Sequence, residues 1–210
     1  MAHDNRESGQ LNLYIKFLKE RLYFEPLSAT LHYNLGLAYS SKRMTEEAIS
    51  EFKQAIECDP TLSQAYINLG GLCFQKGDLD GCIEANQKAL SLDPKLAIAC
   101  TNLGFAHLQR GECEKAILYS RQAIELDPDN LQAHNNLAVA HLQADDIQAS
   151  IDASLRLIAL NDRFAPAHYN LAVAYRMAGN AEKAGEHYQK AKTLGYPVEE
   201  GFEADWNDAG

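Results

Sequence analysis

Hydrophobic and polar positions recur along the chain with a period of 34 residues. The period is most visible in a tripeptide, Asn-Leu followed by Gly or Ala, which starts at Asn34, Asn68, Asn102, Asn136 and Asn170. A fixed period of this length is typical of repeat proteins, in which each unit is one supersecondary structure that buries its apolar face against its neighbours. The pattern therefore indicates a stack of similar helical units.

Each unit shows the helical period twice, with a short break between the two stretches. In the first unit Leu35 and Tyr39 fall in a first helix, Ala48 and Phe52 fall in a second, and Pro60 ends the unit because proline cannot continue a helix. The breaks lie near Lys42-Arg43, Gly77-Asp78, Gly111-Glu112, Asp145-Asp146 and Gly179-Asn180. Glycine favours a tight turn at three of these breaks. We expect two antiparallel helices in each unit.

Counting from the repeated motif divides the chain into five full units and two flanking segments. The units are predicted at 29–62, 63–96, 97–130, 131–164 and 165–198. Residues 11–28 carry apolar residues at the helical period, and Pro26 follows at the register of the closing proline. This segment is predicted to be half a repeat, a helix that caps the first unit. Residues 1–10 are expected to form a flexible N-terminus, and 199–210 a mobile acidic tail.

The unit resembles the tetratricopeptide repeat (TPR). The resemblance lies in Leu35-Gly36-x-x-Tyr39, then Ala48-x-x-x-Phe52, then Pro60, with related residues in the later units. It implies an all-α fold, a right-handed TPR superhelical solenoid of paired antiparallel helices, which binds other polypeptides. The fourth and fifth units depart from the pattern: Ala138 and Ala172 replace glycine, Ser150 replaces alanine, and Asp162 replaces the closing proline. The local geometry of 160–167 is left open by these changes.

An asparagine stands at the sixth position of all five units: Asn34, Asn68, Asn102, Asn136 and Asn170. Asparagine is about 0.6 kcal/mol worse than alanine in a helix, so helix stability does not explain it. An amide can both donate to and accept from a peptide backbone. The sequence resembles asparagine-ladder TPR proteins, such as the TPR region of O-GlcNAc transferase, which implies that the five amides bind an extended peptide in a concave groove. Two alternatives stay open: hydrogen bonds to a neighbouring repeat, and a relic of tandem duplication.

The same resemblance places apolar side chains between the asparagines. The predicted peptide-binding set therefore also includes Leu37, Phe74, Phe105, Leu108, Val139 and Val173. Such a lining favours an extended client segment with some hydrophobic side chains. Contact of these residues with the next helix is the alternative. A clamp for a terminal carboxylate is disfavoured, because position 2 of the units carries no cation: Thr30, Gln64, Ile98, Gln132 and Pro166.

The composition limits the classes of binding partner and the cellular location that we expect. The chain has 19 basic and 29 acidic residues and a net charge of -10, which disfavours nucleic acid as a partner. No apolar run approaches the roughly 20 residues of a membrane span, so direct membrane insertion is not expected. The first ten residues contain no apolar core of a secretory signal, and a cytoplasmic location is predicted. The five cysteines form no Cys-x-x-Cys pair, so reduced, packed thiols are expected.

The sequence predicts neither an enzyme nor a metal or cofactor site. Five histidines lie on the packing faces of the first helices, with no acid-histidine spacing of a metal motif: His32, His107, His134, His141 and His168. They are predicted to be packing residues rather than metal ligands. No phosphate-binding loop or nucleophile elbow is present.

The leading hypothesis is a non-catalytic adaptor that binds an extended peptide segment of a client protein. The main alternative is a scaffold that self-associates and recruits proteins to a larger assembly. A third hypothesis is autoinhibition, in which the acidic tail occupies the groove through Phe202 or Trp206. The identity of the client and its pathway do not follow from the fold.

Overall fold

The computed structural model describes residues 2–197, with side chains from residue 9 onward, and this part of the chain is entirely helical apart from turns and loops. The predicted acidic tail, 199–210, lies outside the described residues. The chain divides into two compact units, Met1–Lys95 and Leu96–Gly210. We call them the N-terminal unit and the C-terminal unit.

The N-terminal unit contains five helices, α1 (Ala2–Phe24), α2 (Ala29–Ser41), α3 (Thr45–Cys58), α4 (Ser63–Gln75) and α5 (Leu79–Leu92). The described part of the C-terminal unit contains six, α6 (Ala97–Gln109), α7 (Cys113–Leu126), α8 (Leu131–Gln143), α9 (Ile147–Leu160), α10 (Ala165–Met177) and α11 (Ala181–Thr193). None of the described helices is both long enough and apolar enough to span a bilayer.

The helices pack in consecutive pairs, each first helix against the second helix that follows it. The pairs are α2 with α3, α4 with α5, α6 with α7, α8 with α9, and α10 with α11. Close approach in the first pair requires a small residue, because a Cβ on Gly36 would lie 2.8 Å from Cε1 of the Phe52 ring. Phe52 and Leu35 are almost completely buried at this contact. The glycine of the sequence motif is therefore a packing position.

Helix α1 packs against α2 of the first repeat. Its Ile15 and Leu18 are buried in one cluster with Leu35, Tyr39 and Phe52. The helix begins at Ala2, so it includes residues of the segment 1–10 that the sequence predicts to be flexible. Once packing has fixed the helix around Ile15, extending it costs little, because each added residue gains a hydrogen bond.

Each turn between the paired helices contains one residue in the left-handed backbone region. These residues are 34 positions apart: Arg43, Gly77, Gly111, Asp145 and Gly179, with φ between 58° and 78°. Glycine adopts this conformation freely, whereas a side chain with a Cβ is strained there. Arg43 and Asp145 are therefore the two strained turn residues within the described repeats.

Replacing Arg43 with glycine should stabilise the protein. We expect the free energy of unfolding to rise by about 0.5–1 kcal/mol, because the relieved strain exceeds the added entropy of the unfolded chain. Urea denaturation measures the change. Arg43→Ala is the matched control, since alanine removes the charge and keeps the Cβ. Equal stability of the glycine and alanine variants would contradict the strain at this turn.

Candidate functional site

The predicted binding residues lie on the first helices of the repeats. Positions are counted from the first residue of each predicted 34-residue repeat, so position 6 is Asn34 in the first repeat and Asn170 in the fifth. In the C-terminal unit, α6 contacts α8 and α8 contacts α10. Three first helices thus lie side by side there, and the side chains at their equivalent positions form rows. In the N-terminal unit, α2 and α4 carry the corresponding residues.

Asn68, Asn136 and Asn170 each donate a hydrogen bond to the preceding first helix. The bonds run from Asn68 Nδ2 to the Tyr33 hydroxyl (3.2 Å), from Asn136 Nδ2 to the Thr101 carbonyl oxygen (3.1 Å), and from Asn170 Nδ2 to Asn135 Oδ1 (2.8 Å). The acceptor is always at position 5 of the preceding repeat, 35 residues earlier. Hydrogen bonding to a neighbouring repeat, the alternative left open above, is therefore the observed arrangement for these three side chains.

The asparagines differ in what remains available to a ligand. Asn136 is completely buried, and its Oδ1 also accepts a hydrogen bond from Gln132 Nε2 at 2.8 Å. Asn170 is 6 % exposed. Asn68 is half-buried, and its Nδ2 also donates to the Gln64 carbonyl oxygen at 2.8 Å, so the two bonds described here leave its own Oδ1 uncommitted. Asn34 and Asn102 are half-buried. The partly exposed amides are therefore those of Asn34, Asn68 and Asn102.

The predicted apolar residues are mostly at the surface. Leu37 is exposed, while Phe74, Phe105, Val139 and Val173 are half-buried. Leu108 differs from them. It is 4 % exposed and packs in a small core with buried Ala116 and Ala140, so it contributes to the core rather than to a surface. Phe105 and Val139 border the same core, and each has one side against it.

Histidines at position 4 connect three of the first helices to the loops before them. Nε2 of His32, His134 and His168 lies 3.0, 2.9 and 3.1 Å from a backbone carbonyl six residues earlier. The carbonyl belongs to Pro26, Pro128 and Asp162, respectively. A carbonyl oxygen can only accept, so Nε2 carries the proton in all three rings. These histidines have a structural role in joining repeats.

Histidines at position 11 face an acid at the start of the following helix. His107 Nδ1 lies 2.9 Å from Glu112 Oε2, and His141 Nδ1 lies 3.3 Å from Asp146 Oδ2. Burial lowers the pKa of both histidines below its ordinary value, and the neighbouring carboxylates oppose the shift. Among the described residues, no three histidine, cysteine or acidic side chains are arranged to hold a metal ion.

Removing the Asn136 amide should destabilise the fold more than removing the Asn34 amide. We expect Asn136→Ala to cost about 1–3 kcal/mol, because it removes two hydrogen bonds in a fully buried place. Asn34 has no preceding first helix to bond, so Asn34→Ala is the control. Both variants gain the same helix propensity, and thermal denaturation compares them directly. Equal losses of stability would contradict a structural role for the inter-repeat hydrogen bond.

Four family models match the chain, and all describe the same repeat. The tetratricopeptide repeat models match residues 29–62, 63–96 and 152–196, and a TPR repeat model matches 106–145. No functionally curated protein matches the chain significantly.

Similar solved structures are TPR proteins or have a closely similar fold. YrrB, a TPR protein with an unusual peptide-binding site, has a TM-score of 0.73 at 21 % identity, over 85 % of this chain and 92 % of its own. MamA has a TM-score of 0.73 at 24 % identity, over 79 % and 91 %. PilW, a widely conserved type IV pilus biogenesis factor, has a TM-score of 0.73 at 20 % identity, over 87 % and 82 %. The repeated helical pairs, the four repeat models and these folds agree that the chain belongs to the tetratricopeptide-repeat family and has an all-α TPR fold.

Proposed function

We propose that the chain is a non-catalytic adaptor that binds an extended segment of a client protein along its first helices. The observation that carries the proposal is the row of half-buried apolar side chains at position 9 of α6, α8 and α10: Phe105, Val139 and Val173. These helices lie side by side, so one extended segment could contact all three residues. Burying their remaining apolar surface would stabilise the complex by about 25 cal/mol for each Å².

The asparagines would contribute to binding in two different ways. Asn136 and Asn170 hold adjacent first helices in register through their inter-repeat hydrogen bonds, and so fix the spacing of the apolar row. Asn34 and Asn68 are half-buried, and each could form a hydrogen bond with a client backbone. The predicted peptide-binding role is thus proposed for Asn34 and Asn68, and a positioning role for the buried Asn136 and Asn170. The asparagine-ladder subtype remains a prediction.

A peptide ligand also agrees with the similarity to YrrB, which has a peptide-binding site on a similar fold. The clients themselves are not identified by this comparison, since fold similarity at this identity does not transfer a ligand. The proposal therefore rests on the side-chain chemistry of the first helices, with YrrB as support for the class of ligand.

Charges placed in the apolar row should weaken client binding. We expect the double variant Val139→Glu, Val173→Glu to capture its partner from native lysate about tenfold less well, because burying an unpaired carboxylate is costly. Leu155→Glu is the control, on α9, where Leu155 is 44 % exposed. Circular dichroism must show equal helicity of the three proteins. Capture of the same partners by the double variant at wild-type levels would overturn the proposal.

A second candidate function is self-association through α1. This helix presents a second apolar face: Leu13, Tyr14, Phe17, Tyr23 and Phe24 are between 44 % and 82 % exposed. Residues 11–25, which cover the rest of α1 and the residue after it, include three basic and two acidic side chains. This surface therefore lacks the strong negative charge of the whole chain. The exposed side chains of α11 are instead mostly polar or charged, for example Glu186 and Lys190. Two copies joined by their α1 helices would form a symmetric dimer.

Self-association through α1 predicts a molar mass that rises with protein concentration. Light scattering should show dimers of the wild-type chain and monomers of Phe17→Glu, Phe24→Glu, because the carboxylates would lie in the apolar contact. Leu118→Glu is the control, since Leu118 on α7 is 62 % exposed. A constant monomer mass of the wild-type chain at all concentrations would exclude the scaffold.

A further inference from the structure

The second helix of each repeat carries a residue, at position 23, that faces the packing side of its own first helix. In three repeats this residue is large, and it contacts a histidine at position 4 or 11. In the first repeat Glu51 Oε2 lies 2.7 Å from His32 Nδ1. In the third, the Tyr119 ring stacks on the His107 ring, with the ring centroids 5.4 Å apart and the planes 3° from parallel. In the fifth, His187 Nδ1 lies 3.1 Å from His168 Nδ1. Position 23 thus fills the space between the two helices in the first, third and fifth repeats.

In the second and fourth repeats position 23 is alanine, and a cavity lies beside it. Ala85 lines a cavity of about 710 Å³ between α3, α4 and α5, and Ala153 lines one of about 380 Å³ between α7, α8 and α9. Both cavities are lined by positions 4, 7 and 11 of the first helix: Tyr66, Leu69 and Cys73 in one, His134, Leu137 and His141 in the other. The two cavities therefore occupy equivalent places in their repeats.

The fourth-repeat cavity contains a buried polar atom without a partner. His134 is 7 % exposed, and its Nδ1 has no hydrogen-bond partner among the described residues. Its Nε2 bonds a carbonyl as in His32 and His168, so the three rings are oriented alike. In those two rings Nδ1 points to the residue at position 23. In the fourth repeat His134 and Ala153 line the same cavity, and the alanine side chain has no polar atom to offer this nitrogen.

Nε2 of His134 donates to the Pro128 carbonyl, so in the neutral ring Nδ1 holds a lone pair and accepts a hydrogen bond. The equivalent nitrogen of His32 lies 2.7 Å from Glu51 Oε2, so this ring position can also donate. A hydroxyl group fits both cases, because it can donate and accept. The fifth repeat shows this pairing inside the chain, where one of the two Nδ1 atoms of His168 and His187 must donate to the other.

The surroundings favour a flat, neutral aromatic ring that carries the donor. Tyr119 shows that a phenol ring stacks on the position 11 histidine in the third repeat, and His141 occupies position 11 in the fourth. Ile124, Leu137 and Ala149 supply apolar walls. Two arginines and two acids line the rim, Arg121, Arg156, Glu125 and Asp152, so their formal charges cancel and do not select a charged ligand.

We propose that the cavity beside Ala153 is a binding site for a phenolic group, whose ring stacks on His141 and whose hydroxyl donates to Nδ1 of His134. The ligand would take the place that Glu51, Tyr119 and His187 fill from within the chain in the odd-numbered repeats. The phenol could belong to a small molecule or to a tyrosine side chain of a bound protein. This site lies between α7, α8 and α9 and is separate from the apolar row proposed to bind clients.

The probe that tests the site is p-cresol, the side-chain analogue of tyrosine, compared with toluene. The two have nearly the same shape, and toluene lacks the hydroxyl. We expect p-cresol to bind about tenfold more tightly than toluene in isothermal titration, because one hydrogen bond to an otherwise unpaired buried acceptor gives about this ratio. The ¹⁵N signal of His134 Nδ1 should move upfield on binding. Equal affinities with an unchanged His134 signal would overturn the proposal.

Two alanine positions provide matched variants. Ala153→Tyr should fill the fourth-repeat cavity from within, as Tyr119 does in the third repeat, and abolish the p-cresol response of His134. Ala85→Tyr makes the same change in the second repeat and should leave that response intact. Loss of the response in both variants, or in neither, would contradict the assignment. Once p-cresol binding is established, N-acetyltyrosinamide distinguishes the two sources of the phenol. If N-acetyltyrosinamide binds, the site is assigned to a tyrosine of a bound protein. If it does not bind, the site is assigned to a small phenolic molecule.

Discussion

The fixed register of the repeat is the constraint on which the rest of the structure depends. Because every unit has 34 residues, a contact made once recurs at the same sequence separation. The asparagine bond spans 35 residues three times, and the histidine-carbonyl bond spans six residues three times. Neither contact forms within one isolated helix, so the repeats that make these bonds are ordered by what precedes them.

Most of the fold could be predicted from the sequence, because the signals for it are periodic and local. Small residues such as Gly36, the turn residues and the closing prolines each act within one helical pair, and their spacing is visible in the sequence. The start of α1 was less predictable. Residues 2–10 have no apolar period, so their helix depends on propagation from the packed segment around Ile15 and Leu18 rather than on a pattern of their own.

The direction of the asparagine amides could not be predicted in the same way. The acceptors at position 5 are a hydroxyl, a backbone carbonyl and an amide oxygen, in Tyr33, Thr101 and Asn135. No common residue type marks this position, so the sequence shows five equal donors without showing what they face. The burial of Leu108 could not be predicted from the sequence either, because other residues of the first helices, such as Phe105, are equally apolar but only half-buried. Position 23 gave no signal at all, since it holds four different residue types in the five repeats: Glu51, Ala85, Tyr119, Ala153 and His187.

The repeated and the variable positions therefore suit different kinds of recognition. In the proposed function, the half-buried amides and the apolar side chains of most repeats would meet a ligand in a similar way from one repeat to the next, which favours binding of an extended backbone with little dependence on its sequence. Position 23 differs between repeats, and at Ala153 it leaves a cavity with one unpaired acceptor. A buried acceptor discriminates strongly, because a ligand without the matching donor leaves it unsatisfied. In the proposed functions, affinity from the first helices and selectivity from one cavity would change separately, since a substitution at position 23 removes neither the asparagine bonds nor the apolar row.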